Sequence, residues 1–468
     1  MDYHYDTASS SSHSNHYLQL SGSTSLTSQR SLLSVPSLNN SHNNHHHHHL
    51  NSHLIKTLKS HNTSYISSLT LFGKFLLTGS SDREITTWNI TIPEQQQQNS
   101  TNKVVAGKGA VKSLVIQSNT NTNTNTNTLF SAHQDHKIRV WKLTNDQKYT
   151  HLATLPTLGD RASKILIPKN HVQIRRHKKC TWVHHVDTVS SLALSKDGNL
   201  LYSVSWDRTI KIWRTRDFTC LESITNAHDD AINAVVVSYD GVVYSGSADK
   251  RIKVWKNLQD HKKQKHCLVD TLEKHNSGIN ALVLSSDESV LYSGACDRSI
   301  LVWEKADDAD ADDGKMVVVG ALRGHTNSIL CLAVVWDLVC SGSADKTIRI
   351  WRGVGRDYCC LSVLQGHQGS IKCLTAVVEN CDDNSESEEA SFLVYSSSLD
   401  CDIKVFNSFS MSAHTQGDID QSRILRKTFQ ALPFVQLMKQ VFQGQPSQSP
   451  PSQLMMPGHE MLSNIPYL

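Results

Sequence analysis

Leu322-Arg-Gly-His325 and Ser341-Gly-Ser-Ala-Asp345-Lys-Thr-Ile-Arg-Ile-Trp351 are the stretches that decide the fold, because their pattern recurs along the chain. Each unit of the pattern ends on an aromatic residue, with an Asp six residues before it and a Ser or Thr ten residues before it. Seven such units follow one another, six ending on Trp and the last on Phe406. Recurrence at a regular period indicates a repeat architecture. We therefore expect one domain built from seven related units.

Most units also carry a His shortly before an apolar strand, but Gly107 stands there in the second unit. The fixed residues predict a hydrogen-bond relay from Trp to hydroxyl to His to Asp, because a buried polar group without a partner costs about 1–3 kcal/mol. We expect Gly107 and Phe406 each to break the relay of their unit. The predicted tetrads are His61, Thr78, Asp82 and Trp88; His185, Ser203, Asp207 and Trp213; His228, Ser245, Asp249 and Trp255; His275, Ser293, Asp297 and Trp303; and His325, Ser341, Asp345 and Trp351.

Ser, His and Asp are also the residues of a hydrolase triad. An active site is needed once, whereas this constellation recurs, so we interpret it as structural. The sequence contains no phosphate loop, no His-Glu-x-x-His and no Gly-x-Ser-x-Gly motif. The acidic run Asp307–Asp313 lacks the Gly and Glu of a calcium loop. We predict no catalytic residues, no metal site, no cofactor and no small-molecule substrate.

The pattern resembles the WD40 repeat, and the resemblance covers residues 54 to about 407. It implies an all-β fold, a seven-bladed WD40 β-propeller whose sheets pack face to face and leave only short edges. The stretches Ala227–Ala234 and Ser205–Trp213 are similar to the plant WD-repeat family named after the pollen regulator JINGUBANG. No unit remains for Leu54–Leu58 to begin, so we expect these residues to form the outer strand of the seventh blade and close the ring.

Composition divides the chain into three segments. Residues 1–52 are rich in Ser, Asn and His, with His45 to His49 consecutive, and are predicted to be a disordered tail. Residues 53–408 are predicted to form the propeller. Residues 409–468 form a C-terminal tail, in which a short helix over 422–443 either packs on the propeller or serves as a partner motif. The last residues are expected to be disordered.

Several insertions interrupt the blades. The Trp residues of units two and three are 72 residues apart, against 42 for the next pair. The extra length contains the basic run Arg175–Lys179, which is either a nuclear-import or anion-binding patch or a solvated loop. Gln95–Gln98, the Asn-Thr alternation over 119–128 and the acidic run Asp382–Glu389, whose serines are potential phosphorylation sites, are expected to be loop insertions.

Charge and cysteine usage bear on the compartment. Lys plus Arg is 46 and Asp plus Glu is 43, so the net charge of +3 gives no global reason to expect nucleic acid or membrane as partner. The eleven cysteines form no Cys-x-x-Cys pair, and a reducing environment fits them best. The N-terminus lacks the features of a signal peptide, and the longest apolar stretch, Ile329–Cys340, is too short to span a bilayer. We expect a soluble protein of the cytoplasm, the nucleus or both.

Partner binding is predicted on the rim that carries the tetrad Asp residues. The residue after this Asp is basic in five units, and such a ring would attract acidic or phosphorylated peptides. Trp206 precedes the Asp of unit three, where an exposed indole would be an interface hot spot, although a core position is equally open. Asp229 and Asp230 on the neighbouring loop would add specificity. The predicted rim residues are Arg83, Trp206, Arg208, Asp229, Asp230, Lys250, Arg298 and Lys346.

These features favour a non-catalytic scaffold or adaptor that binds other proteins, and the JINGUBANG resemblance implies a role in plant regulation or growth control. One alternative is a substrate receptor of a cullin-type ubiquitin ligase. Such receptors usually show Trp-Asp-x-Arg at the strand end, whereas the only Trp-Asp pairs here are at Trp206 and Trp336. A second alternative is RNA binding through the basic rim, which the near-neutral net charge disfavours.

Overall fold

The computed structural model describes residues 35–39, 50–59, 64–90, 102–118, 127–144, 148–165, 171–175, 178–260, 263–306, 315–354, 356–378 and 391–409. These residues form β-strands β1 to β30 and one helix, here called α1. Seven four-stranded antiparallel sheets follow one another along the chain. The predicted seven-bladed β-propeller is confirmed.

The first three blades contain consecutive strands. Blade one consists of β2 (Ile66–Phe72), β3 (Phe75–Ser80), β4 (Glu84–Asn89) and β5 (Asn102–Val105). Blade two consists of β6 (Val111–Gln117), β7 (Asn127–His133), β8 (Ile138–Leu143) and β9 (Tyr149–Leu155). Blade three consists of β12 (Val189–Leu194), β13 (Leu200–Ser205), β14 (Ile210–Arg214) and β15 (Cys220–Ile224).

Blades four to six repeat the same order. Blade four consists of β16 (Ile232–Val237), β17 (Val243–Ser247), β18 (Ile252–Asp260) and β19 (Lys263–Leu272). Blade five consists of β20 (Ile279–Leu284), β21 (Val290–Ala295), β22 (Ile300–Lys305) and β23 (Met316–Leu322). Blade six consists of β24 (Ile329–Val335), β25 (Leu338–Ser343), β26 (Ile348–Val354) and β27 (Asp357–Leu364).

Blade seven joins the two ends of the described chain. It consists of β28 (Ile371–Val378), β29 (Ser391–Ser398), β30 (Asp402–Phe409) and, as its outer strand, β1 (Asn51–Lys59). β1 pairs antiparallel with β30, and Leu58 is only 2% exposed. The predicted closure of the ring by residues 54–58 is confirmed.

Burial explains the composition of the strands. The second strand of each blade is buried along almost its whole length, as in β13 and β25, because a neighbouring blade covers each face. A strand buried on both faces needs a continuous run of apolar and small residues rather than an alternating one. The outer strands are more exposed, with polar residues at intervals.

The first strands of the blades surround the axis and contact one another in sequence, including β28 with β2. Side chains at the start of these strands bond across the gap. Asn233 and Asn280 donate to the carbonyls of Ile279 and Ile329 in the next blade, both at 2.8 Å. These bonds fix the spacing between blades near the axis.

The insertion between blades two and three forms α1 (Leu158–Ile165) and a hairpin of β10 (His171–Arg175) and β11 (Lys178–Thr181). Thr157 caps the helix, since its hydroxyl accepts the Asp160 backbone N–H at 3.1 Å. The buried Asp160 carboxylate accepts the Cys220 backbone N–H at 3.0 Å, which ties the helix to blade three. Arg175, Lys178 and Lys179 of the basic run thus lie on the strands of this hairpin.

The predicted boundary of the N-terminal tail requires correction. Residues 35–39 pack on the propeller, with Val35 only 3% exposed, and β1 begins at Asn51. Short contacts made mainly by backbone groups leave no periodic signal in a Ser- and Asn-rich stretch. The predictions for His45–His49, Gln95–Gln98, residues 119–126, Asp307–Asp313, Asp382–Glu389 and 410–468, including the helix over 422–443, lie outside the described residues. Among the described helices, none is long and apolar enough to cross a membrane.

Candidate functional site: the Asp-turn rim

The tetrad residues of blades three to six lie within hydrogen-bond distance of one another. In blade five, Trp303 Nε1 donates to Ser293 Oγ at 2.9 Å, and His275 Nε2 lies 2.8 Å from that hydroxyl. His275 Nδ1 lies 2.9 Å from Asp297. The same contacts, between 2.8 and 3.1 Å, are made by His185, Ser203, Asp207 and Trp213, by His228, Ser245, Asp249 and Trp255, and by His325, Ser341, Asp345 and Trp351.

Each relay also fastens two loops together through its Asp. In blade four, Asp249 Oδ2 accepts the Asp229 backbone N–H at 3.0 Å, and Oδ1 accepts that of Arg251 at 3.0 Å. Burial favours the neutral form of this carboxyl, but hydrogen bonds, chiefly from His228, outweigh it and lower the pKa of Asp249 to about 2. Similar opposing effects lower the pKa values of Asp207, Asp297, Asp345 and Asp400. The relays hold the rim loops in place and keep the Asp carboxylates hydrogen-bonded.

The predicted break in the relay of blade two affects only its link from histidine to Asp135, because another imidazole contacts the Ser131 hydroxyl. Trp141 Nε1 donates to Ser131 Oγ at 2.8 Å, and His133 Nε2 lies 2.8 Å from the same hydroxyl. His133 Nδ1 lies 3.2 Å from the carbonyl of Gly109, so this nitrogen donates. Every buried polar group of the relay therefore keeps a partner.

The Asp of blade two pairs with an arginine instead of a histidine. Arg139 donates to both oxygens of Asp135, at 3.1 and 2.5 Å. A Cβ placed on Gly107 would lie 2.3 Å from Arg139 Cζ. The guanidinium thus fills the space beside Gly107, the position that holds histidine in most other blades.

Blades one and seven complete the set. In blade seven, His367 lies 2.9 Å from Ser396 and 2.8 Å from Asp400, and only the indole is missing because Phe406 is buried in its place. In blade one, Trp88 Nε1 donates to Thr78 at 3.1 Å. Ser64 donates to Asp82 at 2.9 Å, whereas the predicted member His61 lies outside the described residues.

The Asp turns of the seven blades open onto one face, which we call the Asp-turn rim. The residue after each Asp has a positive φ, between 65° and 77°, and the basic ones are all exposed. These residues are Arg83, His136, Arg208, Lys250, Arg298, Lys346 and Cys401. Their left-handed backbone carries the side chains away from the relay. The predicted basic positions therefore lie together on one face with their side chains exposed, and Arg83 Nε also donates to the Asp82 carbonyl at 3.2 Å.

Blade three carries an apolar patch on this rim. Trp206 is 37% exposed and Val186, which follows His185, is 36% exposed. The ammonium group of Lys112 from blade two lies 5.7 Å from the centre of the Trp206 ring, a cation–π distance. Trp206 is thus a rim residue and not a core residue.

A groove of about 760 Å³ lies between blades two and three, on the side of the Asp-turn rim. Its lining includes the exposed side chains of His136, Lys137 and Arg161, together with His184. Among the described lining residues the one acidic side chain, Asp135, forms a salt bridge with Arg139. The sequence pointed to the rim but not to this groove, because Arg161 comes from the inserted helix.

The two predicted acidic residues on the rim differ in their contacts. Asp229 is exposed and pairs with Arg251 at 2.6 Å. The Asp230 carboxylate is exposed and accepts the Ala231 backbone N–H at 2.7 Å. Within the described part of the chain, no group of three or more His, Cys, Asp or Glu side chains is placed to hold a metal ion. The nine cysteines whose side chains are described are free thiols.

Comparison with protein families matches the repeat described as "WD domain, G-beta repeat" at residues 52–89, 177–214, 218–256, 266–304, 316–352 and 358–407, more than half of the chain. Autophagy-related protein 16 of Arabidopsis thaliana is 24% identical over 201 residues, covering 39% of this chain and 36% of that protein. Small ribosomal subunit protein RACK1 of Drosophila melanogaster is 36% identical over 104 residues, covering 22% and 30%. Cell division control protein 4 of Candida albicans is 26% identical over 129 residues, covering 27% and 16%. The chain thus spans between 16% and 36% of the length of these relatives.

Proposed function

The chain belongs to the WD40 repeat family, whose propellers are generally protein-interaction scaffolds, and on that premise we propose that it is a non-catalytic adaptor. Its docking face is the Asp-turn rim, and its ligand is an acidic or phosphorylated segment of a partner protein. The observation that carries this proposal is the exposed Trp206–Val186 patch, which lies beside cationic side chains on the rim.

The charge of the rim favours an anionic ligand. The relay carboxylates accept hydrogen bonds from loop backbone groups and from histidine or arginine, as Asp207 does from Val186 and His185. The residues after them, such as Arg208 and Lys250, are exposed. Cations arranged around a central opening raise the local concentration of an acidic ligand and speed its association. The rim therefore exposes its cationic side chains, whereas the carboxylates of the His-containing relays are only 3–11% exposed.

Blade three supplies the apolar anchor. Large aromatic side chains concentrate binding energy when a partner removes them from water. Trp206 already has one face near the Lys112 ammonium group, and Val186, whose backbone N–H donates to Asp207, is a second exposed apolar side chain of blade three. A partner segment with an apolar residue next to acidic or phosphorylated ones would match this patch.

The groove between blades two and three suits a phosphorylated side chain. Arg161 supplies a planar guanidinium, which binds phosphate through paired hydrogen bonds. Burial, and then the charge of Arg161, lowers the pKa of His184, so this imidazole is neutral at pH 7. The exposed Lys137 and His136 flank the groove. His136 and Lys137 lie in the β7–β8 turn, Arg161 lies in α1, and His184 lies between β11 and β12.

The test compares the partners that bind the wild-type chain with those of a Trp206→Ala/Arg208→Gly/Lys250→Gly variant. Glycine is the appropriate replacement because Arg208 and Lys250 have φ values of 65° and 73°, which glycine adopts without strain. The matched control is Lys74→Ser/Lys196→Ser/Arg216→Ser, which removes exposed charges from turns on the opposite face.

We expect the rim variant to lose specific partners and the control to retain them, with both variants melting as cooperatively as the wild type. If the anion is phosphate, phosphatase treatment of the partner should abolish binding. If the anion is a carboxylate, binding should survive this treatment. An unchanged partner list for the folded rim variant would contradict the proposal. Captured RNA with steep salt dependence would instead favour the nucleic-acid alternative.

The cellular setting is proposed on sequence grounds. We place the protein in the cytoplasm, the nucleus or both, because its described cysteines are free thiols and a reducing compartment preserves them. The similarity of Ala227–Ala234 and Ser205–Trp213 to the JINGUBANG family supports a regulatory role in plant growth. Fluorescent tagging in plant cells tests both statements, and secretion of the tagged chain would contradict the first.

A further inference from the structure

Residues Val35–Asn39, here called the docked segment, lie along the outer edges of blades five and six. The segment bridges in parallel to Ala321 of β23 and to Tyr358 of β27. Leu38 N–H donates to Ala321 O at 3.0 Å, and Ala321 N–H donates to the Pro36 carbonyl at 2.9 Å. The segment therefore extends the blade-five sheet, as bound peptides do when they add a strand to a free sheet edge.

The ends of the docked segment are held by one arginine. The Asn39 amide oxygen accepts the Arg323 backbone N–H at 3.1 Å, and its nitrogen donates to the Arg323 carbonyl. The Arg323 guanidinium donates to the Val35 carbonyl at 2.8 Å. This contact pattern recognises an asparagine side chain at one end of the peptide and a main-chain carbonyl at the other.

A glycine makes room for the central side chain. Leu38 packs against the apolar cluster of blades five and six, and a Cβ placed on Gly320 would lie 2.4 Å from Leu38 Cγ. Glycine inside a strand often marks the close approach of another chain. Here it leaves a notch that any larger residue would close.

The notch is peculiar to blade five among the described outer strands. Gly320 pairs with Val302, the residue before the blade's terminal Trp. The residues at the same register in the other blades all have side chains. They are Asn102, Ala153, Glu222, Asp270, Ser362 and Lys56.

Blades three and four show how this space is filled when no peptide occupies it. Glu222 stands at the register of Gly320 and accepts from His266 Nδ1 at 2.8 Å. His266 stands in turn at the register of Tyr358, which bonds to Tyr292 at 3.0 Å. Blade five thus lacks the side chain that fills this space in blade three, and Leu38 occupies the space instead.

We propose that the groove between β23 and β27 is a binding site for an extended Pro-x-Leu-Asn peptide, with the docked segment as its intramolecular occupant. A partner protein that presents this pattern binds by displacing the segment, at a site separate from the Asp-turn rim. Residues 40–49 tether the segment to the propeller, and such short tethers give effective concentrations of about 1 mM. A partner must therefore compete with the docked segment. It can displace the segment if it binds the groove more tightly or is present at a high local concentration.

The experiment uses a fluorescent peptide with the sequence of Leu33–Ser41 and measures its binding by anisotropy. The full chain with Leu38→Ser/Asn39→Ser has an emptied groove and should bind the peptide with a Kd of about 10–500 µM. The wild type should bind it about 3- to 100-fold more weakly, depending on that Kd, because its own segment competes at about 1 mM. A peptide carrying Leu38→Ser should not bind.

Two further variants identify the groove. Gly320→Ser in the emptied chain should abolish binding, whereas Ser362→Ala, at the same register of blade six, should leave it unchanged. If the emptied variant does not fold, a protease site placed within residues 42–47 releases the segment from the folded wild type instead. A folded chain with an emptied groove that fails to bind the peptide, or that binds it equally with Gly320→Ser, overturns the proposal.

Discussion

At the scale of single residues, the relays show that partners matter more than residue positions. Blade two keeps its indole and hydroxyl satisfied by using His133, which lies two residues after Ser131. The other blades have small residues at that position, namely Ser80, Ser205, Ser247, Ala295, Ser343 and Ser398. The predicted relay took its histidine only from the position before the first strand, so it missed His133. The signal for this contact was a histidine at a position that is small in the other units, in the unit that lacks the usual histidine.

Substitution of Gly107 tests whether the Arg139 guanidinium fills the space that histidine occupies in most other blades. Gly107→Ala should reduce the free energy of unfolding by about 2–4 kcal/mol, since its Cβ would meet Arg139 and its φ is 123°. Gly366→Ala is the matched control, because its φ is 132° and its nearest neighbour would be 3.8 Å away. The control should lose only about 1–2 kcal/mol, the backbone cost alone. Equal losses in urea denaturation would contradict this assignment.

His133 gives blade two a pH dependence. Burial, and then the Arg139 charge, lowers the pKa of His133 from 6.5 to about 4. As the pH falls, the unfolded chain therefore takes up its proton first, so the stabilisation is present above pH 6.5 and is lost towards pH 4. Relative to His133→Gln, the wild type should lose about 3 kcal/mol more over this range in denaturation experiments. Parallel pH profiles for the two chains would show that His133 is not held neutral.

At the scale of elements, each Asp turn constrains two successive residues. The relay fixes the Asp, and the turn then forces the next residue into the left-handed region, as at Lys250 with φ of 73°. The sequence showed the basic residues but not their backbone, because lysine and arginine carry no signature of positive φ. Their exposure is thus a consequence of the turn as well as of their charge.

Lys250 provides the direct test of this turn. Lys250→Gly should be up to about 1 kcal/mol more stable than Lys250→Ala, since glycine adopts positive φ without strain. The exposed strand residue Lys265 is the control, and there glycine should be about 0.5–1 kcal/mol less stable than alanine. Thermal and urea denaturation of the four variants measures both differences. The same sign at both positions would contradict the turn geometry.

Some elements could be predicted from the sequence and others could not. The strands that contain Trp213 and Trp351 were predictable because their residues recur at fixed positions along the chain. The docked segment was not, since five residues in a Ser- and Asn-rich stretch bind mainly through backbone groups. The groove between blades two and three was missed because Arg161 and His184 are brought together only by the fold.

At the scale of the whole molecule, closure of the ring depends on β1. This strand supplies the outer edge of blade seven and buries Leu58 against it. Deleting residues 1–60 should therefore cost at least about 3 kcal/mol, through lost strand pairing and exposed apolar surface. Of the described residues, deleting residues 1–40 removes only the docked segment, so the loss of stability should be smaller. Comparable losses in calorimetry for the two truncations would contradict the role of β1.

The whole propeller thus presents two separate surfaces to partners. The Asp-turn rim offers charge and an aromatic anchor, while the side groove of blades five and six offers a strand edge and a notch. Both are held by rigid sheets, which lowers the ordering cost of binding. A scaffold that engages one partner on the rim can therefore leave the side groove available to another.

Site-specific photo-crosslinking shows whether partners dock on the Asp-turn rim. A photoreactive amino acid is placed at Gln134 on the rim or at Tyr239, an exposed residue in a turn on the opposite face. Crosslinks to partner proteins should form from position 134 and should disappear with Trp206→Ala/Arg208→Gly/Lys250→Gly. Crosslinks that form mainly from position 239, or that persist in the rim variant, would contradict the account.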